Sequence, residues 1–164
     1  MATAMLTGPL ATHGEPPTLS YRLTAPSAEQ TPKVARDMVA SLLEAAGHGA
    51  SVDAARLLVS ELVTNVVQHA DARELTLEAD IDDESITVRV TDGDFRNTPP
   101  MPHSFPEAGD ERGRGLALVD ALATRWGVSV HGGREPNGKS VWFVLEARSS
   151  TGGADCIAIK EPSG

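Results

Sequence analysis

Between Thr18 and Thr24 the sequence TLSYRLT sets Leu19, Tyr21 and Leu23 on alternate positions, the period of a strand with one buried face. A helix follows, starting at Ser27 with Gln30 completing a capping box, or at Thr31 with Pro32 just inside. Val34, Met38, Leu42 and Ala45 form its predicted apolar stripe, and Gly47 its stop. Ser51 is the expected N-cap of a second helix, with Asp53 favourably charged in the first turn. That helix contains LLVSELVTNVVQHA, from Leu57 to Ala70. Val59, Leu62, Val63, Val66 and Val67 cluster on its core side. At about 100° per residue, Glu61, Asn65, Gln68 and His69 share one narrow sector opposite.

Two alternating segments come next. RELTLEADI turns Leu75, Leu77, Ala79 and Ile81 inward, SITVRVTD does the same with Ile86, Val88 and Val90, and the short DDE between them predicts a hairpin. Residues 95–112 are Pro-rich and aperiodic, with an acidic PEAGDE, and have the length of a lid or binding loop. GLALVDALATRW predicts a third helix with Leu116, Val119, Leu122 and Ala123 on one face. GVSVHG and KSVWFVLEA close the pattern as a strand pair joined by a turn containing Asn137-Gly138. Val141, Phe143 and Leu145 face one way, Trp142 and Val144 the other. The order β-α-α-β-β-α-β-β predicts a two-layer α+β sandwich, a mixed, mostly antiparallel sheet covered by helices on one face. The expected domain spans residues 18–148, between a mobile tail over 1–17 and a flexible one over 149–164.

Composition narrows this picture. A chain of 164 residues suits one domain large enough to need no disulfide or metal staple. The lone Cys156 forms no intramolecular disulfide and suits a reducing compartment. The first residues have neither the basic nor the apolar run of a signal peptide, and no stretch is long enough to span a bilayer. The expectation is a soluble cytoplasmic protein. The net charge of -9, without a basic run, argues against a nucleic-acid backbone as partner and favours a protein with a basic surface. A phosphate ligand would need arginine or a metal ion locally.

Three features carry candidate chemistry, each with an ordinary structural reading beside it. The Glu61–Asn65 sector is either solvated surface or the wall of a site, and the flanking Leu57 and Leu58 suggest a partly covered face. Asp92-Gly93, in VTDGDF, is either a turn or a strand-end carboxylate that accepts a hydrogen bond from an exocyclic amino group. In ERGRGL, Gly113 and Gly115 frame Arg114 ahead of a helix, either as a hinge or as a phosphate site to which Arg112 and Arg114 add charge. A P-loop, the eukaryotic-type kinase motifs, GxSxG and zinc-ligand clusters are all missing from the sequence.

Taken in order, an ExxxN helix, a hairpin ending in DG, a long loop and GxGL opening a helix resemble the GHKL ATPase superfamily with its Bergerat (histidine kinase-like ATPase) fold. ELVTNVVQHA, VTDGD, GRGLALVDALATRWGV and GKSVWFVL are similar to the bacterial anti-sigma factor serine/threonine kinases of the RsbW type, over roughly residues 21–147. The resemblance implies ATP and Mg²⁺ as cofactors, with Asn65 as a Mg²⁺ ligand and Glu61 as catalytic base. Asp92, with Gly93 beside it, would read the adenine amino group. Arg112, Gly113, Arg114, Gly115 and Leu116 would hold the phosphates beneath the 95–112 lid. His69 lies further round the helix, at the edge. The implied function is an ATP-binding anti-sigma factor that regulates transcription and phosphorylates an antagonist protein. Its partners would be a sigma factor and that anti-sigma-factor antagonist, with a homodimer as the assembly. The chain departs from the family's DxGxG box, since DGDFRNTPP supplies no second glycine after Gly93. This keeps a second reading open, a non-catalytic regulator that binds ATP or only its partners.

Overall fold

The computed structural model describes residues 3–6, 18–96 and 111–146. Its elements in chain order are β1 (Thr3–Leu6), β2 (Leu19–Pro26), α1 (Thr31–Ala45), α2 (Val52–His69), β3 (Glu74–Ile81) and β4 (Ser85–Asp92). They continue with α3 (Glu111–Leu122), β5 (Arg125–His131) and β6 (Gly138–Glu146), and a 3₁₀ turn at Gly49–Ser51 precedes α2. The strands form one six-stranded sheet in the order β1-β2-β3-β4-β6-β5. Every described pairing is antiparallel, so no parallel pair of a mixed sheet occurs among the described residues. The architecture is the expected two-layer α+β sandwich.

Strand alternation produces the layers. Leu75, Leu77, Ala79 and Ile81 of β3, Ile86, Val88 and Val90 of β4, and Val141, Phe143 and Leu145 of β6 are buried beneath the helices, as predicted. Against them α2 packs Leu58, Val59, Leu62, Val63 and Val66. The opposite face is polar. Ser20 Oγ donates to Asp80 Oδ1 at 2.6 Å, Thr24 and Thr76 Oγ1 lie 3.3 Å apart, and Glu78 sits between Arg22 and Arg89. On that face Trp142 lies across Gly127, where a Cβ would come within 2.8 Å of the indole.

Several local expectations need correction. Of the two predicted starts, α1 takes the one at Thr31 with Pro32 just inside, and no capping box at Ser27 forms. Its buried face is Thr31, Ala35, Val39, Ala40 and Leu43, rotated from the predicted stripe, with Val34 50% exposed. The small Ala35 and Ala40 let the helix lie close to its neighbours, while Met38 and Leu42 pack at its margins. Gly47 does end the helix, at φ +83°, a region that favours glycine. Ser51 occupies the N-cap of α2 but makes no side-chain capping bond. Thr3–Leu6, read as part of a mobile tail, pairs antiparallel with β2 as an edge strand. The predicted third helix ends at Leu122, not Trp126. Trp126 belongs to β5, and its indole N–H donates to Asp120 Oδ1 at 3.0 Å. The β5–β6 turn uses positive φ at Gly132 and Gly133, so Asn137 is in the turn but Gly138 already begins β6.

Burial alone would raise the Glu78 carboxyl, but hydrogen bonds and charges from Arg22 and then Arg89 outweigh it and hold it below the ordinary glutamate range. The associated stability is present at neutral pH and is lost as pH falls through the lowered value, below about pH 4.3. Glu78→Gln is expected to lower the unfolding free energy by about 0.5–1 kcal/mol at neutral pH in urea titrations. The gap to the unsubstituted chain should narrow as pH falls through the lowered value.

Candidate functional site

The packing of α2 fixes which way its polar sector points. With Leu58, Val59, Leu62, Val63 and Val66 buried against the sheet, Glu61 and Asn65 emerge one turn apart on the flank and are half-buried. Gln68 and His69, in the last turn of the helix, are exposed. His69 therefore stays at the edge of this group, where an imidazole also complements the helix C-terminus.

The third helix meets this flank. A Cβ on Gly115 would overlap Glu61 Oε2 and lie 3.8 Å from Asn65 Nδ2. Gly115 is thus the small residue that lets α3 come up against the Glu61 carboxylate. Val119, one turn further along α3, is fully buried in the core and holds the helix there. The predicted phosphate loop is altered in one respect. α3 starts at Glu111, so Arg112, Gly113, Arg114, Gly115 and Leu116 lie in its first turns and not in a loop before it. A glycine within a helix costs only about 1 kcal/mol, which packing against α2 can offset. In a helix starting there, the amides without an intrahelical acceptor belong to the first turn, upstream of Gly115. The side chains of residues 111–114 and Leu116, and residues 97–110 of the lid expected over 95–112, lie outside the described residues.

Asp92 is the last residue of β4 and falls on the inward phase of that strand, after Ile86, Val88 and Val90. It is buried, and the residue opposite it on β6 is Lys139. Lys139 Nζ donates to Asp92 Oδ1 at 3.0 Å, with side-chain exposures of only 5% and 1%. The same ammonium donates to the Asp94 carbonyl, and the Asp94 amide donates to Asp92 Oδ1 at 2.7 Å. Asp94 in turn accepts from the Asp71 amide at 2.9 Å and the Arg96 amide at 3.0 Å. One buried lysine therefore staples the DGD turn, β6 and the link between α2 and β3. Sequence reading missed Lys139 and Asp94. The available signal was the phase of β6, because stepping back by twos from Leu145, Phe143 and Val141 lands a lysine on the core face opposite a strand-end aspartate.

Gly93 is exposed, its φ is not positive, and nothing lies within 4 Å of a Cβ built on it. Next to it is a cleft of about 490 Å³, lined by Asp92, Gly93, Thr76, Thr91, His131 and Asn137 among others. Neither Glu61 nor Asn65 lines this cleft. The structure thus brings Glu61, Asn65 and Gly115 into one group and Asp92 and Gly93 into a second at the end of β4.

The donor set suits a magnesium ion bound through a nucleotide. Mg²⁺ keeps waters and phosphate oxygens and takes only one or two protein oxygens, which the half-buried Asn65 amide can supply. No group of three or more His, Cys, Asp or Glu side chains capable of caging a metal occurs among the described residues. Among the described residues, no helix is long and apolar enough to cross a membrane.

Comparison with known proteins agrees with this arrangement at the level of the domain. An uncharacterized protein of Streptomyces coelicolor is 40% identical over 78 residues, which cover 46% of this chain and 73% of that protein. Residues 24–145, from β2 to the end of β6, match the histidine kinase-like ATPase domain. With that span covering the sheet, the helices and both groups of candidate residues, the chain belongs to the histidine kinase-like ATPase domain family, the GHKL ATPases.

Proposed function

We propose that this protein binds Mg-ATP and transfers its γ-phosphate to a serine or threonine of a partner protein, as an anti-sigma factor kinase acting on its antagonist. The observation that carries this reading is the contact of Gly115 on α3 with Glu61, with Asn65 beside it. It sets a carboxylate and a hard oxygen ligand side by side against α3, one turn along from the free amides at the start of that helix. In this reading the Glu61 carboxylate takes the proton from the attacking hydroxyl. Asn65 supplies an oxygen to Mg²⁺, whose charge offsets that of the phosphates. The amides at the start of α3 face the phosphates, and Asp92 accepts from the adenine amino group. The sigma factor and the antagonist would compete for a surface beside α3, and two copies of the chain would form the resting assembly. The compartment proposed for this activity is the cytoplasm.

A binding-only regulator is the second reading. The close seating of Glu61 Oε2 against Gly115 favours it, because it leaves little room for an attacking hydroxyl at that oxygen.

Two sets of substitutions separate these readings. Glu61→Ala should retain Mg-ATP affinity in calorimetry yet lose about 100-fold or more in transfer of labelled phosphate to a captured antagonist. Asn65→Ala should weaken Mg-ATP binding itself by about tenfold or more. Unchanged transfer in both variants would sink the kinase mechanism, and binding without any transfer by the unsubstituted chain would select the binding-only regulator. The glycines give an independent check. Gly93→Ala meets no steric obstacle, so its stability should stay within about 0.5 kcal/mol while nucleotide affinity falls. Gly115→Ala instead displaces the Glu61 carboxylate, and its main effect should be on the transfer rate.

A further inference from the structure

We infer that Lys139 is a positioning residue for purine recognition. It commits one oxygen of Asp92 and leaves the other as the single acceptor offered to a 6-amino group. The inference rests on the proposed nucleotide binding and adds a determinant of base specificity to it.

The geometry is asymmetric about the carboxylate. Oδ1 of Asp92 accepts from Lys139 Nζ at 3.0 Å and from the Asp94 amide at 2.7 Å. Oδ2 takes part in neither bond. Among the described residues, no buried side-chain oxygen or nitrogen lacks a partner. Oδ2 is therefore not sealed into the core and keeps an opening although Asp92 is only 4% exposed. A carboxylate with one oxygen held by two donors cannot turn to present the other elsewhere. It offers one lone acceptor in one direction, and an acceptor-only group requires a donor on the ligand.

The surroundings show how the lysine is held. A Cβ at Gly138 would come within 2.6 Å of the Asp92 carbonyl, so the close approach of β6 to the end of β4 depends on that glycine. This approach sets Lys139 directly opposite Asp92 in the strand register. Because the ammonium also donates to the Asp94 carbonyl, it fixes both ends of the DGD turn on which Gly93 sits. A ligand ring lying over Gly93 would meet Oδ2 in a constant position. A base with an amino group there satisfies the acceptor, whereas one without it leaves a buried carboxylate oxygen unpaired. A polar site of this kind discriminates strongly against an analogue that lacks the matching group.

The test compares ATP with purine riboside triphosphate, which lacks the 6-amino group, by calorimetry on the full chain with Mg²⁺ present. The unsubstituted protein should prefer ATP by about tenfold or more, the value of one hydrogen bond to a charged acceptor. Lys139→Met should bring the ratio close to one. Lys139→Gln, which keeps one donor toward Oδ1, should give an intermediate ratio and decides the matter if the Met variant does not fold. The ratio is insensitive to a purely structural role, because loss of folded protein lowers both apparent affinities by the same factor. Equal loss of affinity for both nucleotides with the ratio preserved overturns the inference, as does an unchanged ratio in the Gln variant. If the unsubstituted chain binds both nucleotides equally, base reading by this pair is wrong while nucleotide binding stands. If it binds neither, the nucleotide reading falls and takes the inference with it.

Discussion

A sheet with one apolar face has to be covered, and the way α2 covers it determines nearly everything at the candidate site. Leu58, Val59 and Val63 are fully buried, and Leu62 and Val66 nearly so, in the core where α2 meets β4 and β6. Each such side chain contributes about 1.5–3 kcal/mol on burial, in a fold whose net stability is of the order of 5–15 kcal/mol. The helix therefore cannot roll without losing a large part of that total. With its rotation fixed, Glu61 and Asn65 emerge on one flank, and α3 reaches them because position 115 is glycine. The placing of these two side chains on one flank is a consequence of core packing.

The buried pair at the other end of β4 obeys a different constraint. Lys139 and Asp92 lie on the core phase of their strands, where aliphatic residues would pack without the desolvation cost of two charges. Removing one partner of such a pair typically costs about 3–5 kcal/mol, because the remaining charge stays buried. Replacing both by apolar residues is often neutral or better, so the pair is weak evidence for stability as its purpose. Its value lies in direction. It fixes the turn at Gly93 and orients the Asp92 carboxylate.

Much of this could be read from the sequence where the signal was a repeated period. Alternation in β3, β4 and β6 and the valine-rich flank of α2 placed both the core and the Glu61–Asn65 sector. The family signature set the order of the remaining parts. Reading failed where a choice depended on what lay opposite in space. In α1 the larger Val34 and Met38 suggest the buried face, yet the closely packed surface takes Ala35. Gly113 and Gly115 suggest a loop and hence a late start for α3, but tertiary contact overrides their low helix propensity. The Asp92–Lys139 pair links residues 47 apart in the chain and becomes visible only when β4 and β6 are set side by side.

The central claim is that the α2 flank and the end of β4 form two walls of one Mg-ATP site. Backbone amide NMR of the full chain during titration with Mg-ATP tests it most directly. The account predicts saturable shifts of Asn65, Gly93 and Gly115 with one common dissociation constant, while Glu78 on the open face of the sheet stays unmoved. Shifts confined to the cleft that Gly93 shares with Thr76, Thr91 and His131, with Asn65 and Gly115 unmoved, or none at all, would contradict it.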